Sequence, residues 1–207
     1  MRLAVPVSRE HREAHMHIGE TMGLALLLFV GLGASGYLLT LYNGMVALKN
    51  NVGRAWANID VLLKQRHDEI PKLVRTVEGY MQHERAIFDK LSDARGALMN
   101  AKSVPQRAEA EGLISSALGR LFAVAESYPD LKANQSFLQL QARISDIENQ
   151  ISDRREFYND TVTTFNTRLE QLPDKFVGQW LNYTPAELYK VVEADKQDVE
   201  IQFRMAG

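Results

Sequence analysis

Residues 22–42 read MGLALLLFVGLGASGYLLTLY and carry no charge; the nearest charged side chains are Glu20 and Lys49. An α-helix rises about 1.5 Å per residue, so a hydrocarbon core of about 30 Å needs about 20 apolar residues. This run is long enough, and no other run in the chain is. It divides the sequence into a short polar tail (residues 1–20), a transmembrane helix (21–42), a helical domain (43–173) and an aromatic and charged tail (174–207). A cleaved signal peptide is the competing reading, because Gly31, Gly33, Ala34, Ser35 and Gly36 supply small residues. The apolar run resumes at Tyr37-Leu38-Leu39-Thr40-Leu41-Tyr42, however, and reaches spanning length with tyrosines where an interface belt would lie. The residues therefore favour a retained single-pass anchor in the cell membrane.

Two small pairs at i, i+4 spacing, Gly31 with Ser35 and Gly36 with Thr40, would let two membrane helices approach closely. Orientation stays open. Arg2, Arg9 and Arg12 precede the anchor and Lys49 and Arg54 follow it, a lean of one charge towards a cytoplasmic amino terminus, and long domains translocate largely regardless of charge. In the amino-terminal tail, His11 and His15 are four apart and could share a helix face, but no carboxylate or cysteine frame closes a metal site with His17.

Composition narrows the function. The 24 Lys+Arg and 26 Asp+Glu leave a net charge of −2, too balanced for a general polyanion binder, so no nucleic-acid partner is expected. With no cysteine, disulfides, thiolate catalysis and cysteine metal sites are excluded. Leu, Ala, Glu, Gln, Lys and Arg dominate the interior stretches, a helix-forming composition.

A heptad starts without a break after the anchor. Leu41, Met45, Leu48, Val52, Ala55, Ile59 and Leu62 alternate by four and three, widened by Trp56 and Leu63. The spanning helix therefore continues directly into the domain. At Arg66-His67-Asp68-Glu69-Ile70-Pro71 two readings compete. Asp68 can cap a new helix with Pro71 in its first turn, or Pro71 can kink one long helix. The apolar phase persists through Ile70, Leu73, Val77 and Tyr80, which suits the kink; the need of a compact domain to turn back favours a break, and a turn is the expectation. The second helix then runs to about Lys102 with Ile87, Leu91, Ala94 and Leu98 inward. The third runs from about Pro105 to Glu126 with Leu113, Ala117, Leu121 and Val124 inward. After Ser127-Tyr128-Pro129-Asp130 a fourth extends from about Asp130 to Leu172. Its face is Leu131, Phe137, Leu138, Leu140, Ile144, Ile147, Ile151, Tyr158, Val162, Phe165 and Leu169. Pro173 stops it. The tail's Phe176, Trp180, Tyr183 and Tyr189 can lie at the membrane-proximal end or pack onto the bundle.

Polar residues interrupt the apolar faces of the first two helices. Asp60, Lys64 and Asp68 fall on one line, Arg66 sits on the heptad itself, and Glu84 sits beside His83. This set is the candidate polar interaction site. Lys64 can pair with Asp60 or Asp68 at small gain, and a buried version must be fully paired. Register setting and surface pairing, a ligand or metal site, and a hydrolase using the same carboxylates are the three roles open to it. Catalytic motifs are missing. His83-Glu84 lacks the second histidine of a zincin helix. Glu126, Glu148 and Glu156 lack the Glu-x-x-His partners of a di-iron bundle. There is no phosphate loop and no Gly-x-Ser-x-Gly elbow. No catalytic residue, metal site or cofactor is expected. Three Asn-x-Ser/Thr triplets start at Asn134, Asn159 and Asn182; the first two fall in a predicted helix.

The chain resembles the LemA family. The matching blocks are Leu41-Tyr42-Asn43-Gly44-Met45-Val46-Ala47-Leu48-Lys49-Asn50 through Ala55-Trp56, then Ile59-Asp60-Val61-Leu62-Leu63-Lys64-Gln65-Arg66, Asp68 and Ile70-Pro71-Lys72-Leu73-Val74. Val77 to Glu84 resembles the family's Val-x-Gly-Tyr-x-x-His-Glu element. Tyr128-Pro129-Asp130-Leu131-Lys132-Ala133-Asn134-Gln135, Phe137-Leu138-Gln139-Leu140-Gln141, Glu148-Asn149, Arg154-Arg155, Tyr158-Asn159 and Phe165-Asn166 follow. The resemblance covers roughly residues 42–173; Gly44 and Gln65 depart from it, and the tail after Pro173 matches least. It implies an all-α fold, an amino-terminal membrane helix continuing into an antiparallel up-and-down four-helix bundle, which supports a turn at Pro71. It implies no established catalytic activity. The expectation is a membrane-anchored scaffold or adaptor whose partners are the lipid bilayer, further copies of itself and other membrane proteins; the alternative is a small-ligand or metal-binding bundle.

Overall fold

A computed structural model of the chain describes residues 9–190, with side chains from residue 21 onward. Every described secondary-structure element is an α-helix: α1 (Arg9–Glu78), α2 (Arg85–Asn100), α3 (Val104–Ala125), α4 (Pro129–Lys132), α5 (Gln135–Glu170) and α6 (Asp174–Trp180). Helix α1 begins at Arg9, inside the stretch read as a polar tail. The side chains of His11, His15 and His17 and the charged end from residue 191 lie outside the described residues.

The expected turn at Pro71 is not there. Helix α1 runs through Pro71 to Glu78, and the chain turns at residues 79–84. The second helix accordingly spans only Arg85–Asn100. Burial explains the outcome. A proline inside a helix costs about 3 kcal/mol. Ile70, Leu73 and Val77 keep the stripe in phase and are each 0% exposed; burying each contributes about 1.5–3 kcal/mol. Ending the helix at Pro71 would forfeit that alignment. The turn falls where the stripe stops. Tyr80 and Met81 N–H both donate to the Val77 carbonyl, at 2.9 and 3.0 Å, and buried Met81 closes the end of the core.

The other ends follow local chemistry. Ser103 accepts from the Gln106 N–H and opens α3, with Pro105 in its first turn. The expected fourth helix is split. Asn134 stands between α4 and α5 and accepts from the Phe137 N–H at 3.1 Å. Helix α6 closes in a Schellman arrangement. The Tyr183 N–H reaches the Gly178 carbonyl at 2.9 Å and Asn182 reaches Gln179 at 3.0 Å. Asn182 takes the left-handed conformation, φ 52°, that this ending requires.

Helix α5 runs back along α1, since Arg66 meets Glu148 and Tyr80 meets Asn134. Helix α2 packs on α3. One apolar cluster draws Ile70, Leu73 and Val77 from α1, Leu91 from α2, Leu118 and Leu121 from α3, and Phe137 and Ile144 from α5. A second, nearer the exposed apolar run, joins Met45, Val52, Ala55 and Ile59 to Ile151, Tyr158, Val162 and Phe165, and takes Tyr189 from the tail. Three expected core positions are exposed: Tyr80, which lies in the turn after α1, Leu113, because the α3 stripe runs through Ile114, Leu118 and Leu121, and Leu138, beside Phe137. Residues 21–40 of α1 are exposed throughout.

Candidate functional site

Midway along the core, α1, α3 and α5 bring four charges together. Arg66, on the apolar stripe of α1, is 1% exposed and forms ion pairs with Glu111 of α3, itself 0% exposed, and with Glu148 of α5. Ser115 joins them, accepting from Arg66 at 3.1 Å and donating to Glu148 at 3.0 Å. Arg155 lies 3.9 Å from Glu111 and stacks over the Tyr189 ring at 4.9 Å. Two cations face two carboxylates, so the group carries no formal charge. Burial pulls the Arg66 guanidinium below its ordinary value, and Glu148 opposes that shift. Tyr189 is pushed up by burial, with Arg155 opposing. Such a group adds little net stability but penalises every helix register that leaves one charge alone.

Below this network the tail is strapped to α5. Asn159 and Asn166 are seven residues apart, two helical turns, so they share a face about 10.5 Å apart. Ala186 and Tyr189 are three residues apart, about 10 Å of extended chain. The spacings match, and each asparagine brackets one residue. Asn166 donates to the Ala186 carbonyl at 2.9 Å and accepts its N–H at 2.8 Å. Asn159 does the same to Tyr189 at 3.0 and 2.8 Å. The Tyr158 hydroxyl donates to the Glu187 carbonyl at 2.9 Å, and burial raises its pKa. Trp56 fills the gap, 5.6 Å from the Tyr158 ring and 6.1 Å from Tyr189.

The candidate polar residues do not converge. Arg66 enters the buried network. Asp60 pairs across to Arg107 of α3, whose guanidinium also lies over Trp56 at 5.5 Å. Lys64 and Asp68 are exposed, and among the described residues neither Asp60 nor Asp68 pairs with Lys64. His83 and Glu84 stand in the turn before α2, where Glu84 makes no side-chain cap bond. Among the described residues no group of three or more His, Cys, Asp or Glu could hold a metal ion. In the apolar run of α1, Ser35 donates to the Gly31 carbonyl at 2.8 Å and Thr40 to Gly36 at 3.0 Å, so both hydroxyls are satisfied within their own helix.

The residues that complete the network carried partial signals. Glu111 stands on the α3 stripe, three residues after Ala108 and three before Ile114, a charge at a core position like Arg66 on α1. Glu148 adjoins Ile147 on α5. Asn159 and Asn166 stood in the family-like blocks Tyr158-Asn159 and Phe165-Asn166, but nothing in the sequence named their partner, because an asparagine on a helix flank reads as solvated until the tail lies against it.

Among the described residues the chain is all-helical, and its first helix carries an exposed apolar run long enough to cross a bilayer, which is consistent with a membrane-associated helical protein. Its family is LemA: the model of the LemA family matches residues 55–203, and the chain belongs to that family. The match extends past Pro173 into the tail, which the sequence blocks alone had left weakest. The chain is 28% identical to Protein LemA of Metamycoplasma hominis over 161 residues, covering 76% of this chain and 73% of that protein. It is 23% identical over 195 residues to Magnetosome protein MamQ 2 of Paramagnetospirillum magneticum, covering 80% of this chain and 72% of that one. Neither name designates an enzyme.

Proposed function

We propose that this chain is a non-enzymatic scaffold or adaptor held in the cell membrane by residues 21–42. Helices α1, α2, α3 and α5 act as an antiparallel up-and-down bundle. The chain self-associates through the Gly36/Thr40 side of its anchor, about 140° round the helix from the Gly31/Ser35 pair, and organises other membrane proteins or membrane shape. The observation that carries this reading is the continuity of α1, in which one helix without a loop holds both the exposed apolar run and a core stripe buried from Leu41 to Val77. Such a helix transmits the position of the bundle to the bilayer rigidly. The relatives named as magnetosome proteins support a membrane-associated role. The dispersal of Asp60, Lys64, Asp68, His83 and Glu84 favours the scaffold over a ligand site.

The chain has no cysteine, so one introduced thiol reports one contact. In native membranes Gly36→Cys should give a disulfide-linked dimer on mild oxidation, whereas Leu27→Cys, about half a turn round the helix, should not. Resistance of the chain to alkaline carbonate extraction checks the anchor in the same membranes. Release into the soluble fraction would overturn the anchor, and equal crosslinking at both positions would overturn the packed face.

A further inference from the structure

Helix α6 does not bury its largest side chains. Phe176 and Trp180, one turn apart on α6, are 66% and 73% exposed, and Leu172 just before them is 69% exposed. Their exposure is not loose placement, because the other face of α6 is seated firmly. Asp174 is buried and held by Arg168 through two contacts, 3.0 and 3.1 Å. Gly178 lies so close to α5 that a Cβ there would stand 2.5 Å from the Leu169 side chain. The Trp180 ring meets Tyr42 edge-on at 6.0 Å. The aromatic face is therefore aimed at the end of the apolar run.

Between α6 and α1 lies a cleft of about 640 Å³ lined by Ser35, Leu38, Leu39 and Tyr42 of α1 and by Phe176, Val177 and Trp180 of α6. That is the size of a small-molecule pocket. Its walls are apolar, and the one hydroxyl of Ser35 is already spent on Gly31. Ser35 lies seven residues before Tyr42, about 10 Å deeper along the helix axis. With residues 21–42 in a bilayer, the cleft opens at acyl-chain depth, and Tyr42 and Trp180 stand at the interface where aromatic rings are favoured. Water in such a cleft would find few hydrogen-bond partners.

We infer that α6 is a second membrane contact, lying in the interface, and that the cleft between it and the anchor holds an acyl chain of a bilayer lipid. This inference rests on the anchor reading above. It makes the protein's grip on the bilayer two-point, fixing the tilt and rotation of the bundle as a single helix cannot.

The test uses the full chain reconstituted in phosphatidylcholine vesicles, with and without bromine on the lipid acyl chains. Trp56 and Trp180 are the two tryptophans, so Trp56→Phe leaves Trp180 as the reporter. If Trp56→Phe disturbs folding, the emission of the native chain minus that of Trp180→Phe gives the same signal. Trp180 should lose most of its emission in brominated lipid. Ser35→Phe, which fills the cleft from the anchor side, should restore much of it. Unquenched, water-like emission from Trp180 overturns the membrane contact. Quenching unchanged by Ser35→Phe overturns occupancy of the cleft. A third variant, Leu28→Trp with both native tryptophans changed to Phe, reports the anchor. If Leu28→Trp is quenched and Trp180 is not, this inference fails and the anchor stands. If neither is quenched, the anchor reading fails.

Discussion

Asn159 holds Tyr189 as a neighbouring strand would, donating to its carbonyl at 3.0 Å and accepting its N–H at 2.8 Å. Asn166 repeats this at Ala186. Each net hydrogen bond contributes about 0.5–1.5 kcal/mol, so Asn159→Ala and Asn166→Ala should each destabilise by about 1–3 kcal/mol. At about 2–4 °C per kcal/mol for a chain of this size, thermal unfolding resolves either change. Amide exchange at Ala186 and Tyr189 should accelerate in both. Retained protection would show that packing alone holds the strap.

Arg66 and Glu111 lie almost wholly inside the core. Arg66→Met should cost about 3–5 kcal/mol, because it leaves buried Glu111 with only the more distant Arg155, 3.9 Å away, and removes the cation paired with Glu148. Adding Glu111→Leu should recover a large part of that loss. Additive losses in a double-mutant cycle would contradict the coupling the structure shows.

His67 accepts from Arg95 at 3.1 Å through Nε2, since a guanidinium only donates, which leaves its proton on Nδ1. Burial and Arg95 hold its pKa below the ordinary 6.5, with Asp68 opposing. The unfolded chain therefore takes up a proton before the folded one does. Stability from this group is complete above the unfolded value. It declines as pH falls from about 6.5 towards the lowered folded value. His67→Gln should reduce the drop in Tm between pH 7.5 and pH 5.5. An identical drop in both proteins would remove His67 from the pH response.

Pro71 sits inside α1 at a local cost in helix stability. Pro71→Ala should stabilise by about 1–2 kcal/mol, less than the full proline penalty of about 3 kcal/mol because the proline also restricts the unfolded chain. A loss of stability in denaturant unfolding would mean that the ring is required where it packs.

Much of this architecture was legible because apolar periodicity is additive along a helix. Leu41 through Leu63 named one face of α1, Ile144 through Phe165 named one face of α5, and both are buried. The break at Pro71 was misread because a local penalty was weighed without the tertiary burial of Ile70, Leu73 and Val77 that outweighs it. Leu113 and Leu138 were misplaced because an apolar residue beside a stripe looks like part of it. Of the polar set, Arg66 stood out as a charge on a core heptad, and the structure buries it. Its partners were harder to name, because Glu111 and Glu148 are distant in sequence and meet Arg66 only after α3 and α5 fold back. Asp60, Lys64 and Asp68 shared a line on the helix, but a shared line is not a shared site. The tail's two possible homes, bundle and membrane end, were both visible in its aromatics. The structure places Tyr189 in the core and the Trp180 ring edge-on against Tyr42.

The central claim is that the anchor assembles copies of a rigid helical domain. Absolute mass by light scattering in mild detergent, over a series of protein concentrations, tests it most directly, with the full chain beside a version beginning at Asn43. The account predicts a defined multiple of the chain mass for the full-length protein and a monomer for the shortened one. A monomeric full-length protein at every concentration would contradict self-assembly and leave an adaptor that acts through another protein.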